Sequence, residues 1–339
     1  MEFNRKHRSI FLLDKGRYRT LYNEEAIASI QRMTRNDGTV YDVQTILDNP
    51  EDFADVRIVF SGWGAPALDE TLLAALPALE AVFYGAGSVR NIVTDAFWER
   101  DILLTSSYQV NALPVAQYTV AAVVFALKRA FHFSTMLKAA EYVPMATRDA
   151  IPGVYRGSKV GIISLGAIGN LVCEMLRDYE VDVLAYDPYA DMSAFNTLGV
   201  QRVYQLEELF AQCDVISLHA PWLKETEGLI TGDLLRRMPS HATFINTARG
   251  AIVNETEMYD ALSDRPDLFV MLDVLTDEES YHKHPLASLP NVFLTPHIAG
   301  SKGRESHRMG WSAVEECRRF LNNEPQLCSL NRECSKMLA

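Results

Sequence analysis

The segment Ser158–Tyr189 constrains the fold most strongly, because its pattern places a strand, a turn, a helix and a second strand in succession. A short apolar run at residues 160–163 is typical of a strand buried on both faces. The turn Ser164–Gly169 follows, and apolar residues then recur at spacings of three and four, which indicates a helix. A second apolar run, residues 181–186, ends in Asp187.

This order is the layout of a dinucleotide-binding βαβ unit. Glycines let the backbone approach a pyrophosphate, a helix N-terminus attracts anions, and the carboxylate of Asp187 can accept hydrogen bonds from a ribose. The first position of the G-x-G-x-x-G pattern is Ser164, so the match is incomplete. The alternative is an ordinary βαβ unit in which Gly166 and Gly169 only allow close packing.

Length and composition indicate a globular protein of two domains. The chain has 339 residues, of which 48% are hydrophobic and 22% charged. A net charge of -12 argues against nucleic acid or an anionic membrane as a partner, although a small anionic substrate needs only local positive charge. The five cysteines form no C-x-x-C pair, and the N-terminal apolar run at residues 10–13 is too short for a signal sequence. We therefore expect a cytoplasmic protein without a membrane span.

Short apolar runs alternate with helical patterns on both sides of this segment, which favours parallel sheets covered by helices. Before residue 109 the predicted strands are Ile10–Leu13, Arg57–Ser61, Ala81–Tyr84 and Ile102–Thr105, with helices at Asp69–Leu76 and Thr94–Arg100. After Asp187 the predicted strands are Val215–Leu218, Thr243–Asn246, Leu268–Leu272 and Val292–Leu294, with helices at Leu206–Ala211 and Met258–Leu262.

Three further segments lie between or after these elements. Residues 111–129 are apolar on nearly all sides, which predicts a fully buried helix at a domain junction or a subunit interface. Residues 131–157 lack strong periodicity and are interpreted as an extended connecting arm, with a dimer contact as a hypothesis. A helix is predicted over Arg308–Leu321, followed by a polar, loosely ordered end.

Three turns after predicted strands carry groups that are costly to bury without a purpose, namely Arg249, Glu278 and His297. In a doubly wound sheet such turns meet in one crevice beside a bound dinucleotide. An arginine can hold a carboxylate bidentately, and a histidine fixed by a glutamate can move a proton. The set predicts reduction of a carbonyl next to a carboxylate. Taken singly, each residue has a plainer interpretation: Arg249 as a surface ion-pair partner, Glu278 as an exposed loop acid and His297 as a turn histidine.

Other candidates are weaker. His219 also ends a predicted strand, so it is a candidate for lining the cofactor crevice. His282 and His284 are interpreted as solvated, and we predict no metal site. The turn Gly85–Ser88 is either an anion site or a plain connection from a strand to a helix.

The chain resembles the D-isomer-specific 2-hydroxyacid dehydrogenase family over nearly its whole length. The blocks that carry the resemblance are VGIISLGAIG at 160–169, AYDPY at 185–189, LHAPWLKETEGLI at 218–230, NTARGAIVNE at 246–255 and LTPHIAG at 294–300. The resemblance implies an α/β fold of two flavodoxin-like or Rossmann-like doubly wound parallel-sheet domains. An NAD-binding domain, residues 109–301, would be inserted in a substrate-binding domain of residues 1–108 plus 302–339. It also implies a homodimer.

The resemblance assigns roles to single residues. Arg249, Glu278 and His297 match the family's catalytic residues, and Asp187 matches the acid that favours NAD over NADP. Gly87 and Ser88 match the loop whose amides bind the substrate carboxylate, together with Arg249. With the turn glycines and the strand end at His219, the predicted cofactor-binding set is Gly166, Ala167, Ile168, Gly169, Asp187, His219, Pro221, Thr247, Ala248, Asp273 and Gly300.

Several positions depart from the family pattern. Ser164 replaces a glycine and Ala167 replaces a cationic or polar residue, so we expect NAD to bind more weakly than is usual for such folds. Arg90 stands where the family often has an acid. Residues 61–64 lack the arginines that bind a phosphate in phosphoglycerate-oxidising members, and Trp63 indicates an apolar pocket wall, so a non-phosphorylated substrate is favoured.

The sequence therefore predicts an NAD-dependent oxidoreductase that interconverts a 2-oxo acid and a D-2-hydroxy acid. The main alternative is a dinucleotide-sensing scaffold, similar to the transcriptional corepressors that share this fold and retain such residues. A formate-type dehydrogenase is a lesser possibility, because the glutamate partner of the histidine argues against it.

Overall fold

A computed structural model describes residues 7–336, which form two compact units. Unit 1 comprises the described residues up to Asn111 and those from Ser301 onward, and unit 2 comprises Ala112–Gly300. The chain leaves unit 1 at Asn111 and returns at Ser301. These two residues are joined, because the Ser301 N–H donates to Asn111 Oδ1 at 2.9 Å.

Both units are built from strands and α-helices. The strands are β1 (Arg8–Leu12), β2 (Val56–Ser61), β3 (Ala81–Tyr84), β4 (Leu103–Ser106), β5 (Lys159–Ile163), β6 (Asp182–Tyr186), β7 (Gln201–Arg202), β8 (Val215–Leu218), β9 (Thr243–Asn246), β10 (Phe269–Leu272), β11 (Val292–Leu294) and β12 (Ser329–Leu330). The helices are α1 (Lys15–Leu21), α2 (Glu24–Met33), α3 (Val43–Asp48), α4 (Pro50–Phe53), α5 (Glu70–Ala75), α6 (Asp95–Trp98), α7 (Tyr108–Leu127), α8 (Ala130–Lys138), α9 (Met145–Asp149), α10 (Ala167–Leu176), α11 (Met192–Leu198), α12 (Leu206–Gln212), α13 (Gly232–Arg236), α14 (Glu255–Asp264), α15 (Ser306–Leu321) and α16 (Arg332–Lys336).

The sheet of unit 1 has the strand order β1-β2-β3-β4-β12. The first four strands are parallel, and β12 pairs antiparallel with β4. Arg35 and Val40 add two isolated parallel bridges beside β1. The expectation of a loosely ordered C-terminal end is wrong for residues 329–336, since this stretch contains β12 and α16.

The core of unit 1 covers both faces of its sheet. Along β2, Val59 belongs to one buried cluster and Phe60 to the other, as expected for side chains that alternate between faces. Helix α15 closes the second face. A Cβ at Gly310 would lie 2.1 Å from the carbonyl oxygen of Leu21, so only glycine lets α15 pack this closely against the end of α1.

The sheet of unit 2 is parallel throughout, with the order β11-β10-β9-β8-β5-β6-β7. Chain order reverses between β5 and β8, the neighbouring strands from which the sheet grows in opposite directions. In open α/β sheets the ligand crevice lies at such a switch point, beyond the carboxyl ends of the strands. Both faces are buried, with Phe244 and Ile245 of β9 in different clusters.

Six strands of unit 2 end in register. Their last residues form one row of paired Cα atoms: Tyr186, Ile163, Leu218, Asn246, Leu272 and Leu294. Each next residue therefore starts a turn at the same level, and neighbouring turns lie about 4.8 Å apart. We call this row of following residues the carboxyl edge: Asp187, Ser164, His219, Thr247, Asp273 and Thr295.

Two expectations about the middle of the chain need correction. Residues 131–157 are not an extended arm, because this stretch contains all of α9 and all but the first residue of α8. The helix predicted to be fully buried at 111–129 is α7, but only half of its residues are buried and Phe125 is half exposed. Contrary to expectation, α7 is long and apolar enough to cross a bilayer by length and composition alone. However, 56% of its 18-residue apolar window is buried, and the core helix of a globular protein meets the same criteria.

Candidate active site

The turn after β5 presents a helix N-terminus at the switch point. Gly166 caps α10, and the first helical hydrogen bond runs from Asn170 N–H to the Gly166 carbonyl. The preceding N–H groups, from Ala167 to Gly169, have no acceptor within the helix and form an anion-binding end. A Cβ at Gly166 would meet no atom within 4 Å, whereas one at Gly169 would lie 2.1 Å from the Ser164 carbonyl oxygen. Gly169 allows close packing, and Gly166 leaves space for a pyrophosphate.

Ser164, which stands where the family pattern has glycine, adopts a backbone conformation that favours glycine. Its φ is +77°, in the left-handed region that favours glycine. A Cβ in this region costs roughly 1–2 kcal/mol. The Ser164 hydroxyl offsets little of this free-energy cost, because its Oγ makes only a long contact of 3.4 Å with Asp187 Oδ2.

Asp187 ties the turn of β5 to the turn of β6. Its Oδ2 accepts from Leu165 N–H at 2.8 Å, and its Oδ1 accepts from the N–H groups of Tyr189 and Ala190 at 2.8 and 3.0 Å. Only 9% of the residue is exposed. The carboxylate therefore orders the glycine turn by accepting backbone hydrogen bonds, and the predicted ribose contact stays a prediction.

His219 is a neutral, buried histidine at the end of β8. Its backbone N–H donates to Ile163 O, and Nε2 lies 3.0 Å from Ser217 Oγ. Burial lowers the pKa of His219 from 6.5 to about 3. Its Nδ1 is buried without a hydrogen-bond partner among the described residues. Such an orphaned polar atom beside the switch point fits a site that is completed by a ligand.

The turn after β9 carries Arg249 and is braced from two sides. Asn246 Oδ1 accepts from Ala248 N–H, and Asn246 Nδ2 donates to the Arg249 carbonyl, both at 2.9 Å. Thr247 Oγ1 lies 3.2 Å from Thr119 Oγ1 on α7. The guanidinium donates from Nη1 to the Ala248 carbonyl at 2.6 Å. These contacts hold the turn that carries Arg249, which lies two residues after Thr247 of the carboxyl edge.

Asp273 organises the turn that carries His297. It is 2% exposed, and its Oδ1 accepts from Thr295 Oγ1 at 2.6 Å and from Ile298 N–H at 2.8 Å. Its Oδ2 accepts from Ala299 N–H at 2.8 Å. These contacts brace the turn in which His297 has a φ of +52°, in the left-handed region that few residues other than glycine adopt.

Glu278 and His297 are brought together by the fold. His297 Nδ1 lies 2.9 Å from Oε1 and 2.8 Å from Oε2 of Glu278. The side chains of His297 and Glu278 are 41% and 38% exposed, so both remain accessible to a ligand. Since Glu278 engages Nδ1, the other ring nitrogen, Nε2, is left as the one that can exchange a proton with a ligand.

The predicted substrate loop lies in unit 1, after β3. Ser106 Oγ donates to the carbonyls of Ala86 and Gly87 at 2.9 and 2.5 Å. Because the C=O and N–H of a trans peptide point in opposite directions, the N–H groups of Gly87 and Ser88 point away from Ser106. Two adjacent N–H groups with this orientation suit an anion.

The sequence interpretation missed three residues of unit 2, namely His284, Glu255 and Tyr118. His284 was expected to be solvated, but its side chain is 17% exposed and Nε2 lies 3.3 Å from Oε2 of Glu255. The position of Glu255 inside the NTARGAIVNE block was the only signal for this pair. Tyr118 of α7 was also missed; its hydroxyl lies 3.0 Å from Thr295 Oγ1, and burial raises its pKa.

Comparison with known proteins shows which family the chain is similar to. The sequence profile of the D-isomer specific 2-hydroxyacid dehydrogenase NAD binding domain matches residues 120–299. The chain is similar to (S)-sulfolactate dehydrogenase from Chromohalobacter salexigens, with 32% identity over 310 residues that cover 88% of this chain and 96% of the relative. It is also similar to D-3-phosphoglycerate dehydrogenase from Archaeoglobus fulgidus, with 30% identity over 259 residues, 74% of this chain and 46% of that protein. The chain thus spans about half of the latter relative.

Solved structures share the fold. A D-isomer specific 2-hydroxyacid dehydrogenase from Lactobacillus delbrueckii ssp. bulgaricus, solved in its NAD complexed form, superposes with a TM-score of 0.78. The two sequences are 20% identical, and the superposition covers 96% of this chain and 100% of that one. At this identity the similarity establishes the fold alone, with two α/β units built on largely parallel sheets.

Proposed function

Because the chain belongs to the D-isomer specific 2-hydroxyacid dehydrogenase family of NAD-dependent oxidoreductases, we propose that it interconverts a 2-oxo acid and a D-2-hydroxy acid. The observation that carries this proposal is the Glu278–His297 pair beside the carboxyl edge, in the same unit as the anion-binding end of α10. NADH, when bound, would supply the hydride for this reduction.

We propose that the cofactor lies along the carboxyl edge. Asp187 would face the adenosine ribose, and its charge would repel the 2′-phosphate of NADP. The pyrophosphate would meet the N–H groups of Ala167, Ile168 and Gly169, beside the space at Gly166. His219, Pro221, Thr247, Ala248, Asp273 and Gly300 would complete the cofactor set.

The chemical roles follow from the side-chain types. Arg249 would hold the substrate carboxylate and draw electron density from the adjacent carbonyl. His297 Nε2 would donate a proton to the carbonyl oxygen as the hydride reaches the carbon, and would take it back in oxidation. Glu278 would keep the imidazole in the required orientation from the Nδ1 side.

The substrate is proposed to be a small, non-phosphorylated acid. The N–H groups of Gly87 and Ser88 would bind its carboxylate together with Arg249. Residues 61–64, SGWG, offer no cation for a phosphate, and Trp63 would form an apolar wall. Named relatives act on different acids, among them sulfolactate, 3-phosphoglycerate and glyoxylate, so the side chain of the substrate must be measured.

The remaining proposals concern organisation. Residues 109–301 would bind NAD, and residues 1–108 plus 302–339 would bind substrate. We also propose a cytoplasmic homodimer that binds neither nucleic acid nor membrane; a monomer in sedimentation at micromolar concentration would contradict the dimer. Exposed aromatic residues on and near α7–α9, such as Phe125, Tyr142 and Tyr155, support an interface there.

A dinucleotide-sensing scaffold is the second candidate, since such proteins can retain the same three residues. NADH oxidation against a panel of 2-oxo acids separates the two: glyoxylate, hydroxypyruvate, 3-phosphohydroxypyruvate, pyruvate, 3-sulfopyruvate, and branched and aromatic oxo acids. The enzyme proposal predicts turnover with at least one non-phosphorylated acid. Intact NADH binding without any turnover would favour the scaffold, and a preference for 3-phosphohydroxypyruvate over hydroxypyruvate would overturn the substrate proposal.

A further inference from the structure

Glu255 and His284 form a largely enclosed side-chain contact that the proposed chemistry does not use. Their side chains are 15% and 17% exposed, and His284 Nε2 lies 3.3 Å from Glu255 Oε2. His284 Nδ1 accepts from Leu286 N–H at 3.3 Å, so the ring hydrogen is on Nε2 and points to the carboxylate. The other carboxylate oxygen, Oε1, accepts from Thr276 N–H at 2.7 Å.

These contacts hold both sides of the loop that carries Glu278. Thr276 precedes Glu278 by two residues, and His284 follows it in the same loop. Glu255 is the first residue of α14, so it stands on a regular element, whereas Glu278 does not. One carboxylate therefore fixes the loop at two points, one before and one after the residue that contacts His297.

A backbone contact reinforces the first of these points. A Cβ at Gly250 would lie 2.1 Å from the Leu275 carbonyl carbon and 2.2 Å from the Thr276 nitrogen. Only glycine permits this approach, so the turn after Arg249 packs directly against the start of the Glu278 loop. Tyr281 adds a contact within the loop, because its hydroxyl donates to the Asp273 carbonyl at 3.1 Å.

We infer that Glu255 is a positioning residue that places Glu278 against His297 by holding Thr276 and His284. The inference rests on the proposed function, in which Glu278 orients the catalytic histidine. Surface loops sample many conformations unless they are tied down. A displacement of about 1 Å from the productive geometry can lower a rate on the order of 10²-fold, so a carboxylate with two anchors matters for catalysis.

Loss of Glu255 would also remove any contribution that it makes to the stability of the fold. The variants must therefore separate a stabilising role from the positioning of Glu278. Glu255→Ala removes both anchors, whereas Glu255→Gln keeps an amide oxygen for Thr276 N–H but turns its NH2 donor toward the Nε2–H of His284 and so loses the second anchor. His284→Gln tests the second anchor alone. His282→Gln is the matched control, because His282 lies in the same loop, is exposed and is outside the proposed catalytic set.

For the most active 2-oxo acid, we expect Glu255→Ala to lower kcat about 10- to 10²-fold, with the KM for the oxo acid and the dissociation constant of NADH within about threefold of the wild type. Because it keeps the Thr276 anchor, Glu255→Gln should lower kcat less than Glu255→Ala does, and His282→Gln should equal the wild type. An equal loss in kcat and NADH affinity, or a loss that only follows a lower unfolding midpoint, would overturn the positioning role.

A double-mutant cycle with Glu278→Gln completes the test. If Glu255 acts through Glu278, then Glu255→Ala should lower kcat less than about threefold once Glu278 is replaced. The same factor in both backgrounds would contradict the inference. If Glu278→Gln alone leaves kcat unchanged, the proposed function of the pair fails. If it lowers kcat while Glu255→Ala does not, only the positioning role fails.

Discussion

The two ends of the carboxyl edge of unit 2 are built differently. At the end formed by β5 and β6, Asp187 is 9% exposed and its carboxylate accepts backbone hydrogen bonds. At the other end, beside β10 and β11, the side chains of Glu278 and His297 are 38% and 41% exposed and contact each other. Acidic side chains occur at both ends, but Asp187 is enclosed and orders a turn, whereas Glu278 is accessible and contacts a histidine.

The difference agrees with the role proposed for each end. A pyrophosphate is bound by backbone N–H groups at a helix N-terminus, so side chains there need only shape the turn. Proton transfer requires side chains that change protonation state within reach of a ligand. The side chains proposed for proton transfer are accessible, whereas Asp273 and Glu255, whose carboxylates accept hydrogen bonds in the adjoining turns, are enclosed. Variants at both ends probe this division of roles between binding and chemistry, in order of decreasing effect.

The largest effect is expected from His297→Ala. Loss of the general acid should lower the rate of 2-oxo acid reduction roughly 10²- to 10⁴-fold. Steady-state NADH oxidation measures the change. His241→Asn is the matched control: His241 also has a positive φ, of +65°, but it precedes β9 at the opposite edge of the sheet. A near-normal rate for His297→Ala would remove this residue from the proton transfer.

Arg249→Lys tests whether the guanidinium fork, rather than its charge alone, binds the substrate. Lysine keeps the charge but cannot form two parallel hydrogen bonds to a carboxylate, so the KM for the oxo acid should rise about 10- to 10²-fold. Arg237→Lys, on the exposed end of α13, serves as the control. An unchanged KM would mean that Arg249 does not hold the carboxylate.

His219 predicts a pH dependence of stability. Burial holds its pKa at about 3, below the unfolded value of 6.5, so the unfolded chain takes up a proton first as the pH falls. Stability is therefore lost from about pH 6.5 downward, by up to about 1.4 kcal/mol per pH unit. Urea unfolding at pH 7 and pH 5 should show a smaller loss for His219→Gln. Equal losses would contradict the burial of a neutral ring.

Ser164→Gly gives the smallest expected change. It relieves the positive φ of +77° and should raise the free energy of unfolding by about 1 kcal/mol, measured by urea unfolding. Ser193→Gly, on the exposed surface of α11, is expected to be destabilising. With Ala167→Arg added, NADH should bind more tightly than to the wild type. An unchanged affinity of the double variant would refute the weak-binding expectation.

The elements that define the edge were predictable from sequence. β8, β9 and β11 have the bounds expected from their apolar runs, because each run is followed by a polar turn; the runs of β8 and β9 are fully buried and that of β11 is half-buried. The helices α8 and α9 were not predicted, and neither has a buried residue. A helix without a buried face leaves no apolar periodicity to detect.

The contacts that hold the site were less accessible to sequence analysis. Arg249, Glu278 and His297 could be chosen because each follows a recognisable strand. Glu255 and His284 are distant in the chain, so nothing local indicates that they meet. The role of Asp273 is similar: its hydrogen bonds from Ile298 and Ala299 become apparent only when β10 and β11 are paired.

The central claim, that binding and chemistry occupy different ends of one edge, is tested most directly by titrating NADH into the His297→Ala variant. Binding is followed by NADH fluorescence on the same preparation whose rate is measured. The account predicts a dissociation constant within about threefold of the wild type although turnover falls by two or more orders of magnitude. A dissociation constant that rises in proportion to the lost rate would contradict it.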